Sequence, residues 1–216
     1  MQQTITLFNG VTFNLVATPT SPGMATAEIG MNDAVTVFTS PFTGVQQAQA
    51  FPGGDFWDAA VTLPPMYRAT AAPWEAFLAE LRGKLNVFQL SDPRWKVPLG
   101  SGAGAPVVLT SSGTNLPMTN SLATAGWKAS TNGVLLAGDR FQVGYRLYMV
   151  CDTVNSDASG NATITVWPSL RETPPDGTSL VLTKPAGLFR LKDNRRSIHW
   201  SPSQLNTISI PAVEAR

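Results

Sequence analysis

Nucleophilic and metal-binding side chains are scarce in this chain, which contains one cysteine and one histidine. Cys151 ends an apolar segment and has no neighbouring Lys, Arg or His to lower its pKa, so we expect a small buried hydrophobe rather than a nucleophile. His199 adjoins Trp200, which favours a packed structural histidine over the base of a Ser-His-Asp triad. These counts also exclude a disulfide framework, multi-cysteine metal sites and the HExxH metalloprotease motif.

Paired carboxylates are a second kind of candidate chemistry. Asp55 and Asp58 invite comparison with the two acids of a glycosidase, but alternation along a strand puts positions i and i+3 on opposite faces. We therefore expect both to be turn or solvent-facing residues. The chain also lacks a G-x-S-x-G nucleophile elbow, a GxxxxGK[ST] phosphate loop and a dinucleotide-binding fingerprint. The sequence predicts no enzyme and no bound cofactor.

Residues 152–161 contain the best metal candidate, with oxygen-bearing side chains at alternate positions: Asn155, Asp157 and Ser159. The pattern resembles part of a calcium-binding loop, but Val166 stands where such a loop needs its twelfth, acidic residue. A turn between two strands explains the same residues, so we expect no metal site.

The charges nearly cancel, with 15 Lys and Arg against 14 Asp and Glu, and charged residues make up only 13% of the chain. The usual share is ~25%, so the low value favours a structural subunit whose surface is covered in an assembly. The near-zero balance argues against nucleic acid or an anionic membrane as the main partner. The one basic cluster is Arg190, Lys192, Arg195 and Arg196; because Asp193 interrupts it, we expect a solvated loop or a subunit contact.

The N-terminal segment has neither a basic start nor a long apolar core, so we expect no signal peptide. No apolar run approaches the ~18 residues that a membrane-spanning helix needs. The expectation is a soluble protein that is made and kept in a reducing cytoplasm.

The 18 glycines and 17 prolines separate short segments of alternating polarity, which is typical of a mainly β protein. The clearest strand covers residues 56–63, with Trp57, Ala59 and Val61 on one face, and weaker strands are predicted at 4–8, 11–16, 34–38, 45–51 and 85–90. One amphipathic helix is predicted at about residues 70–82, because Trp74, Phe77, Leu78 and Leu81 recur at helical spacing. Thr70 would be its N-cap, and Pro73 would lie in its first turn. We expect a β-sandwich carrying this short helix, plus a second small β-barrel or β-sandwich unit.

Residues 98–106 are small and uncharged, including glycines at 100, 102 and 104, and predict a flexible linker. The second unit follows at residues 107–189, with one strand at 143–149 and a hairpin partner at 162–166. A terminal strand at 205–210, with Ile208 and Ile210 facing inward, needs a partner sheet, and we expect it to return to the first unit. The sandwich would then comprise residues 1–97 and 190–216.

Three stretches of the chain are similar to a family of tail proteins of tailed bacteriophages and prophages. The first is VFTSPFTG with the strand at 56–63. The second is LPPMYRATAAPWEAFLAELRG leading into FQLSDP. The third covers residues 126–171 and contains LLAGDRFQVG, RLYMV, DASGNAT and WPSLR. Together with residues 187–191 they span most of the chain in the family's order.

The resemblance implies a non-enzymatic virion component, with the distal-tail position in the baseplate hub preferred. Such a protein forms a homo-oligomeric ring, expected to be a hexamer, that joins the tail tube to the tail tip. Its partners would be the tail tube protein and tail-tip, hub or receptor-binding proteins. It would be located in the virion tail, after assembly in the cytoplasm of the host bacterium.

Contacts within such a particle are predicted as follows. The first two strands and residues 35–51 would face the ring and tube, and residues 126–171 the periphery or a fibre. The tryptophans Trp95, Trp127 and Trp167 lie near loops or strand ends, where they either anchor interfaces or fill the local core. Arg190, Arg195 and Arg196 are further candidate contacts.

Two other roles remain open from the sequence. One is a different position in the same particle, as a tail-completion, head–tail joining or peripheral baseplate protein. The other is a carbohydrate-binding module for host attachment, since β-sandwiches with exposed tryptophans often bind glycans.

Overall fold

The computed structural model describes residues 2–111, 114–200 and 205–216, apart from the side chains of residues 199 and 200. Within these residues the chain is mainly β, as predicted, with several sheets and one helix, α1 at Arg68–Leu81. The strands of the first half are β1 Gln2–Thr6, β2 Thr12–Val16, β3 Thr26–Asn32, β4 Val35–Thr39, β5 Gln46–Ala50, β6 Phe56–Thr62, β7 Phe88–Ser91 and β8 Gly104–Val108. Those of the second half are β9 Ser121–Trp127, β10 Arg140–Val143, β11 Arg146–Val150, β12 Ala162–Trp167, β13 Leu180–Val181, β14 Ala186–Leu191, β15 Ile198–Trp200 and β16 Asn206–Glu214.

The first large sheet has the strand order β3-β6-β16-β14-β7, and β15 pairs with β16 beside this path. In β6, Trp57, Ala59 and Val61 alternate into the core, which confirms the predicted strand. The C-terminal strand β16 pairs with β6 in the register Ile210↔Val61. The expected return of the terminal strand to the N-terminal part of the chain is therefore confirmed.

Helix α1 covers this sheet with the predicted apolar stripe, Trp74, Phe77, Leu78 and Leu81, all buried. The predicted N-cap at Thr70 is wrong, because the N–H groups of Thr70 and Ala71 donate to the carbonyl of Tyr67 and the helix begins at Arg68. Pro73 consequently lies in the second turn rather than the first.

The second large sheet has the order β13-β10-β11-β12-β9-β8 and nearly closes into a barrel. The Val108 N–H donates to the Thr178 carbonyl over 2.8 Å, and Val107 bridges to Ser179, so the two outer strands meet at one end. Side chains such as Phe141 and Ile164 fill the interior.

The predicted single strand at 143–149 is wrong, because the chain reverses within it. Val143 pairs with Arg146 across a two-residue turn, and Gly144 takes a φ of +57° at the first turn position. Tight hairpin turns favour glycine at this position because its φ is positive. The pairing of the second of these strands with β12 confirms the predicted hairpin partner.

Residues 98–106, where a flexible linker was predicted, are held by hydrogen bonds to the second sheet. The N–H groups of Leu99 and Gly100 donate to the two carboxylate oxygens of the buried Asp139 over 2.7 and 3.0 Å, and Gly104 begins β8. The segment is anchored because an acidic side chain about 40 positions later satisfies its backbone. A second difference concerns residues 186–189, which pair with β7 of the first sheet rather than lying in the second unit.

Two further pairs of strands stand outside the large sheets. We call β1 and β2 the N-terminal ribbon, and β4 and β5 the exposed hairpin. The ribbon packs into the molecule, with Ile5 and Leu7 against Val87, Leu188 and Ala215. The exposed hairpin contributes no residue to any buried cluster in the described part of the chain.

Candidate interaction surface

The exposed hairpin is the feature that the fold leaves unexplained. Its strands pair antiparallel over five residue pairs, from Val35↔Ala50 to Thr39↔Gln46, and all ten residues are exposed. Among the described strands, neither β4 nor β5 pairs with a third one. A two-stranded hairpin is marginally stable on its own in water, so this element needs support that the rest of the chain supplies only at its two ends.

The hairpin has two chemically different faces. Cross-strand partners point to the same face of a ribbon, so the register assigns four small apolar side chains to one face, Val35, Val37, Ala48 and Ala50, with the pair Thr39 and Gln46 at the tip end of that face. We call this the apolar face. The opposite, polar face carries Thr36, Phe38, Gln47 and Gln49. Such a pattern is typical of a sheet that is buried on one side.

Large apolar side chains add to this surface. Phe42 at the hairpin tip is 95% exposed, and Phe38 and Phe51 are about half exposed. Since an aromatic side chain can bury about 200 Å², these three leave about 400 Å² of aromatic surface in contact with water. Phe38 lies on the face opposite the valines, so the exposed apolar surface is spread over both faces and the tip of the hairpin.

No charged residue lies between positions 34 and 54, and Asp33 and Asp55 flank this uncharged run. Soluble proteins normally protect free strand edges with charges, proline or a covering element. The run of uncharged residues was visible in the sequence. It is the signal that would have distinguished this hairpin, whereas composition averaged over the chain does not.

The base of the hairpin forms a shallow groove with the second sheet, lined in part by Asp33, Phe51, Asn120 and Trp167. Asp55 also lies here, and its predicted solvent-facing position is wrong. It is buried and accepts hydrogen bonds from the N–H and Oγ of Ser169 over 2.5 and 2.7 Å. The burial follows from a partner 114 positions away, which strand alternation does not reveal. The second member of the suspected acid pair, Asp58, is half-buried.

The three candidate tryptophans lie in different surroundings in the structure. Trp127 is 4% exposed in the core of the second sheet, and its Nε1 donates to Thr124 Oγ1 over 2.8 Å. It therefore fills the local core. Trp167 is half-buried at the groove, edge-on to Trp57 with ring centroids 4.5 Å apart. Trp95 is half-buried beneath a guanidinium group.

That guanidinium belongs to Arg140, which lies 5.1 Å from the Trp95 ring and 5.0 Å from the Trp57 ring. Arg140 Nη1 and Arg94 Nη2 both donate to Asp92 Oδ2, over 3.0 and 2.7 Å. Burial raises the pKa of Asp92, but the hydrogen bonds from Arg94 and the charges of both arginines outweigh it and hold that pKa below its ordinary value. The cluster joins the two large sheets.

The candidate arginines do not form one patch. The Arg190 guanidinium lies 5.3 Å from the Phe13 ring, and burial, followed by the charges of Arg146 and Arg216, lowers its pKa. Arg196 donates to the Leu78 carbonyl, and Arg195 is exposed. Their role as partner contacts stays a prediction.

The remaining residues that suggested chemistry are Cys151, Asp157 and His199. Cys151 is exposed, contrary to the prediction, because it follows the last residue of β11; desolvation and then the Asp152 carboxylate raise the pKa of its thiol. Asp157 Oδ1 accepts the N–H groups of Asn161 and Ser159, each over 2.8 Å, and these bonds, the Asn161 one first, lower its pKa. The carboxylate thus stabilises a turn. The side chain of His199 lies outside the described residues.

In residues 2–111, 114–200 and 205–216, no three acidic, histidine or cysteine side chains are grouped so that they could hold a metal ion. The same part of the chain contains no helix with the length and apolar character to cross a membrane. No protein-family model matches the chain, and no curated protein matches it in sequence.

Proposed function

We propose that this protein is a non-enzymatic structural subunit of a bacteriophage tail, a distal-tail protein whose copies form a ring between the tail tube and the tail tip. The observation that carries the proposal is the exposed hairpin, whose apolar face has no charge and is covered by no described residue. The particle is proposed from the resemblance of residues 37–44 with 56–63, 63–83 with 88–93, and 126–171 to phage tail proteins. The charge-poor composition agrees with a subunit that is covered on assembly.

The occupant of the apolar face is a second copy of this chain. A ring of identical subunits needs two different surfaces that fit each other, one donating and one accepting. The chain has a second uncharged surface that suits the accepting role. It is an open groove along 97–107 and 179–183, beside the contact between β8 and β13, and it is lined by residues without charge. Val97 is an exposed apolar side chain of this lining.

The size of the hairpin fits this role. A stable interface buries about 800 Å² on each partner, and Phe42 at the tip alone provides about a quarter of that. The open edges of β4 and β5 add backbone groups that can pair with a strand of the neighbour. The contact would repeat from copy to copy because the hairpin and the groove belong to different regions of the molecule.

The test compares two lysine substitutions on the two faces of one strand. Val37→Lys places a charge on the apolar face, whereas Thr36→Lys places it on the polar face as the matched control. Light scattering coupled to size exclusion should give a ring-sized mass for the wild type and for T36K, and a monomer for V37K. A wild type that stays monomeric at all concentrations, or a V37K variant that assembles normally, would overturn the proposal.

Mixing variants tests the head-to-tail geometry. Val97→Lys should block the groove and leave the hairpin intact, so V97K and V37K should each be monomeric alone. A mixture of the two retains one intact hairpin and one intact groove, and should give a heterodimer that grows no further. A mixture that stays monomeric would contradict the assignment of the groove as acceptor.

Carbohydrate binding is the second candidate function, and one observation favours it. The groove at the base of the hairpin combines a half-buried aromatic ring, Trp167, with the polar side chains of Asp33 and Asn120. Because Trp127 is buried in the core, Trp167 is the tryptophan of the described second sheet that could contact a sugar. Binding to a glycan array that Asn120→Ala abolishes, in a wild type that does not form rings, would favour this role over assembly.

A further inference from the structure

The two ends of the exposed hairpin are held by one short segment of the second sheet, residues 167–171, which we call the clamp. We propose that the clamp sets the orientation of the hairpin and thereby controls assembly without touching the neighbouring copy. The inference rests on the proposed function, since it assumes that the hairpin is the assembly contact.

The clamp holds the start of the hairpin through Trp167. Its indole Nε1 donates to Asp33 Oδ1 over 2.8 Å, two residues before β4 begins. The indole ring is itself fixed edge-on against Trp57, whose Nε1 donates to the Leu147 carbonyl over 3.0 Å. These contacts fix the position of Asp33 relative to the buried interior of the molecule.

The clamp holds the end of the hairpin through Ser169 and Arg171. The Gly53 N–H donates to Ser169 Oγ over 3.0 Å, and Ser169 donates through its N–H and its Oγ to the Asp55 carboxylate. Arg171 donates to the carbonyl groups of Gly53 and Asp55. The side chains of Ser169 and Arg171 therefore bind the backbone directly after the hairpin.

Arg171 is rigid because its remaining donors are engaged. Its Nη2 lies 3.1 Å from Glu214 Oε2, and the same oxygen accepts the Trp57 N–H over 3.1 Å. The side chains of Arg171 and Glu214 are both more than nine-tenths buried. Buried charged hydrogen bonds of this kind specify one geometry, since each alternative leaves a charge unpaired.

Because the hairpin is long, a small rotation at its base produces a large displacement of its tip. Five residues of antiparallel strand extend about 17 Å, so a rotation of about 15° at the base displaces the tip by about 4 Å. A displacement of that size misplaces Phe42 against any neighbour. A pre-oriented hairpin avoids the ordering cost on association, and the clamp supplies that orientation.

The experiment removes clamp hydrogen bonds and leaves the apolar face unchanged. Trp167→Phe deletes the donor to Asp33 but keeps an aromatic ring, and Ser169→Ala deletes the Gly53 acceptor. Trp127→Phe is the matched control, because it deletes a buried indole donor in the core of the same sheet. The readouts are oligomer mass against concentration, amide exchange in β4 and β5, and thermal unfolding.

We expect the W167F/S169A variant to need about ten- to a hundredfold higher concentration for half-assembly and to exchange the β4 and β5 amides faster as a monomer. W127F should lower the unfolding temperature and leave the assembly concentration unchanged. The single variant W167F, expected to show a smaller shift in the same direction, keeps the test valid if the double variant does not fold.

The outcomes separate this inference from the proposed function. If W167F/S169A assembles like the wild type while V37K does not, the clamp inference is wrong and the assembly contact stands. If V37K also assembles normally, the proposed function fails and the clamp inference with it. If W127F weakens assembly as much as the clamp variant, the effect comes from global stability and the inference is overturned.

Discussion

The N-terminal ribbon and the exposed hairpin are nearly the same structure in two different surroundings. Each consists of two five-residue strands joined by a short turn, with five antiparallel pairs. Each lies in a run without charged residues, positions 1–27 and 34–54. In each, one face is apolar; in the ribbon that face carries Ile5 and Leu15 with Phe13.

The ribbon is covered by its own chain, whereas no described residue covers the hairpin. Ile5 is 3% exposed, whereas Val37 is 54% exposed. The ribbon lies beside β7, with the Val16 N–H donating to the Val87 carbonyl over 2.8 Å. Its turn is also held, since the Asn9 N–H donates to Glu172 Oε2 over 2.8 Å. The comparison teaches that the same kind of amphipathic ribbon can be buried or exposed, depending on what the rest of the chain packs against it.

The largest difference should appear when an apolar side chain is shortened in each. Ile5→Ala creates a cavity and should reduce the free energy of unfolding by about 2–5 kcal/mol. Val37→Ala removes exposed carbon and should change it by less than about 0.5 kcal/mol. Urea unfolding of both variants as monomers measures the two values. Equal losses would mean that the hairpin has a cover within its own chain.

A smaller difference should follow from the support of the ribbon's turn. Glu172 also pairs with the buried Arg146, Oε1 to Nε over 3.1 Å. Glu172→Gln keeps the shape but removes the charge, so we expect a loss of about 2 kcal/mol. Glu80→Gln, at an exposed position of α1, is the control and should change stability by less than about 0.5 kcal/mol. If the two variants unfold alike, Glu172 does not hold the ribbon.

The smallest difference concerns the turn glycines. Gly10 and Gly44 have φ values of +83° and +71°, and an added Cβ would meet no atom within 4 Å at either. Alanine should therefore cost only backbone strain, about 1 kcal/mol. In Gly10→Ala that cost should reduce global stability, because the ribbon is part of the folded core. Gly44→Ala should leave chemical unfolding unchanged and speed amide exchange in the hairpin. A global loss from G44A would contradict the difference between the two elements.

Local patterns determined much of the fold. Alternation placed Trp57, Ala59 and Val61 on one face, and the spacing of Trp74, Phe77 and Leu81 gave the helix, since both depend on the geometry of a single element. The inward positions of Ile208 and Ile210 followed in the same way. The return of this strand was an inference from its need for a partner.

The candidate interaction surface was harder to predict from the sequence than the fold. Residues 35–51 were singled out by resemblance, but the exposure of both faces was not, because accessibility depends on what else packs there. The burial of Trp127, the exposure of Cys151 and the reversal at Gly144 escaped prediction for related reasons. Each depends on the position of another segment or on one turn.

By itself, then, the sequence determined a mainly β chain, one amphipathic helix, the return of the terminal strand and a hairpin segment without charge. Only the tertiary structure decided that the N-terminal ribbon is covered, that the hairpin is not, and that residues 167–171 hold both of its ends. The physical reason is the separation along the sequence of the residues that contact each other. Strand and helix patterns arise between neighbours a few positions apart, whereas Asp33 and Trp167 are joined across 134 positions. Contacts of that range depend on how the two large sheets pack together.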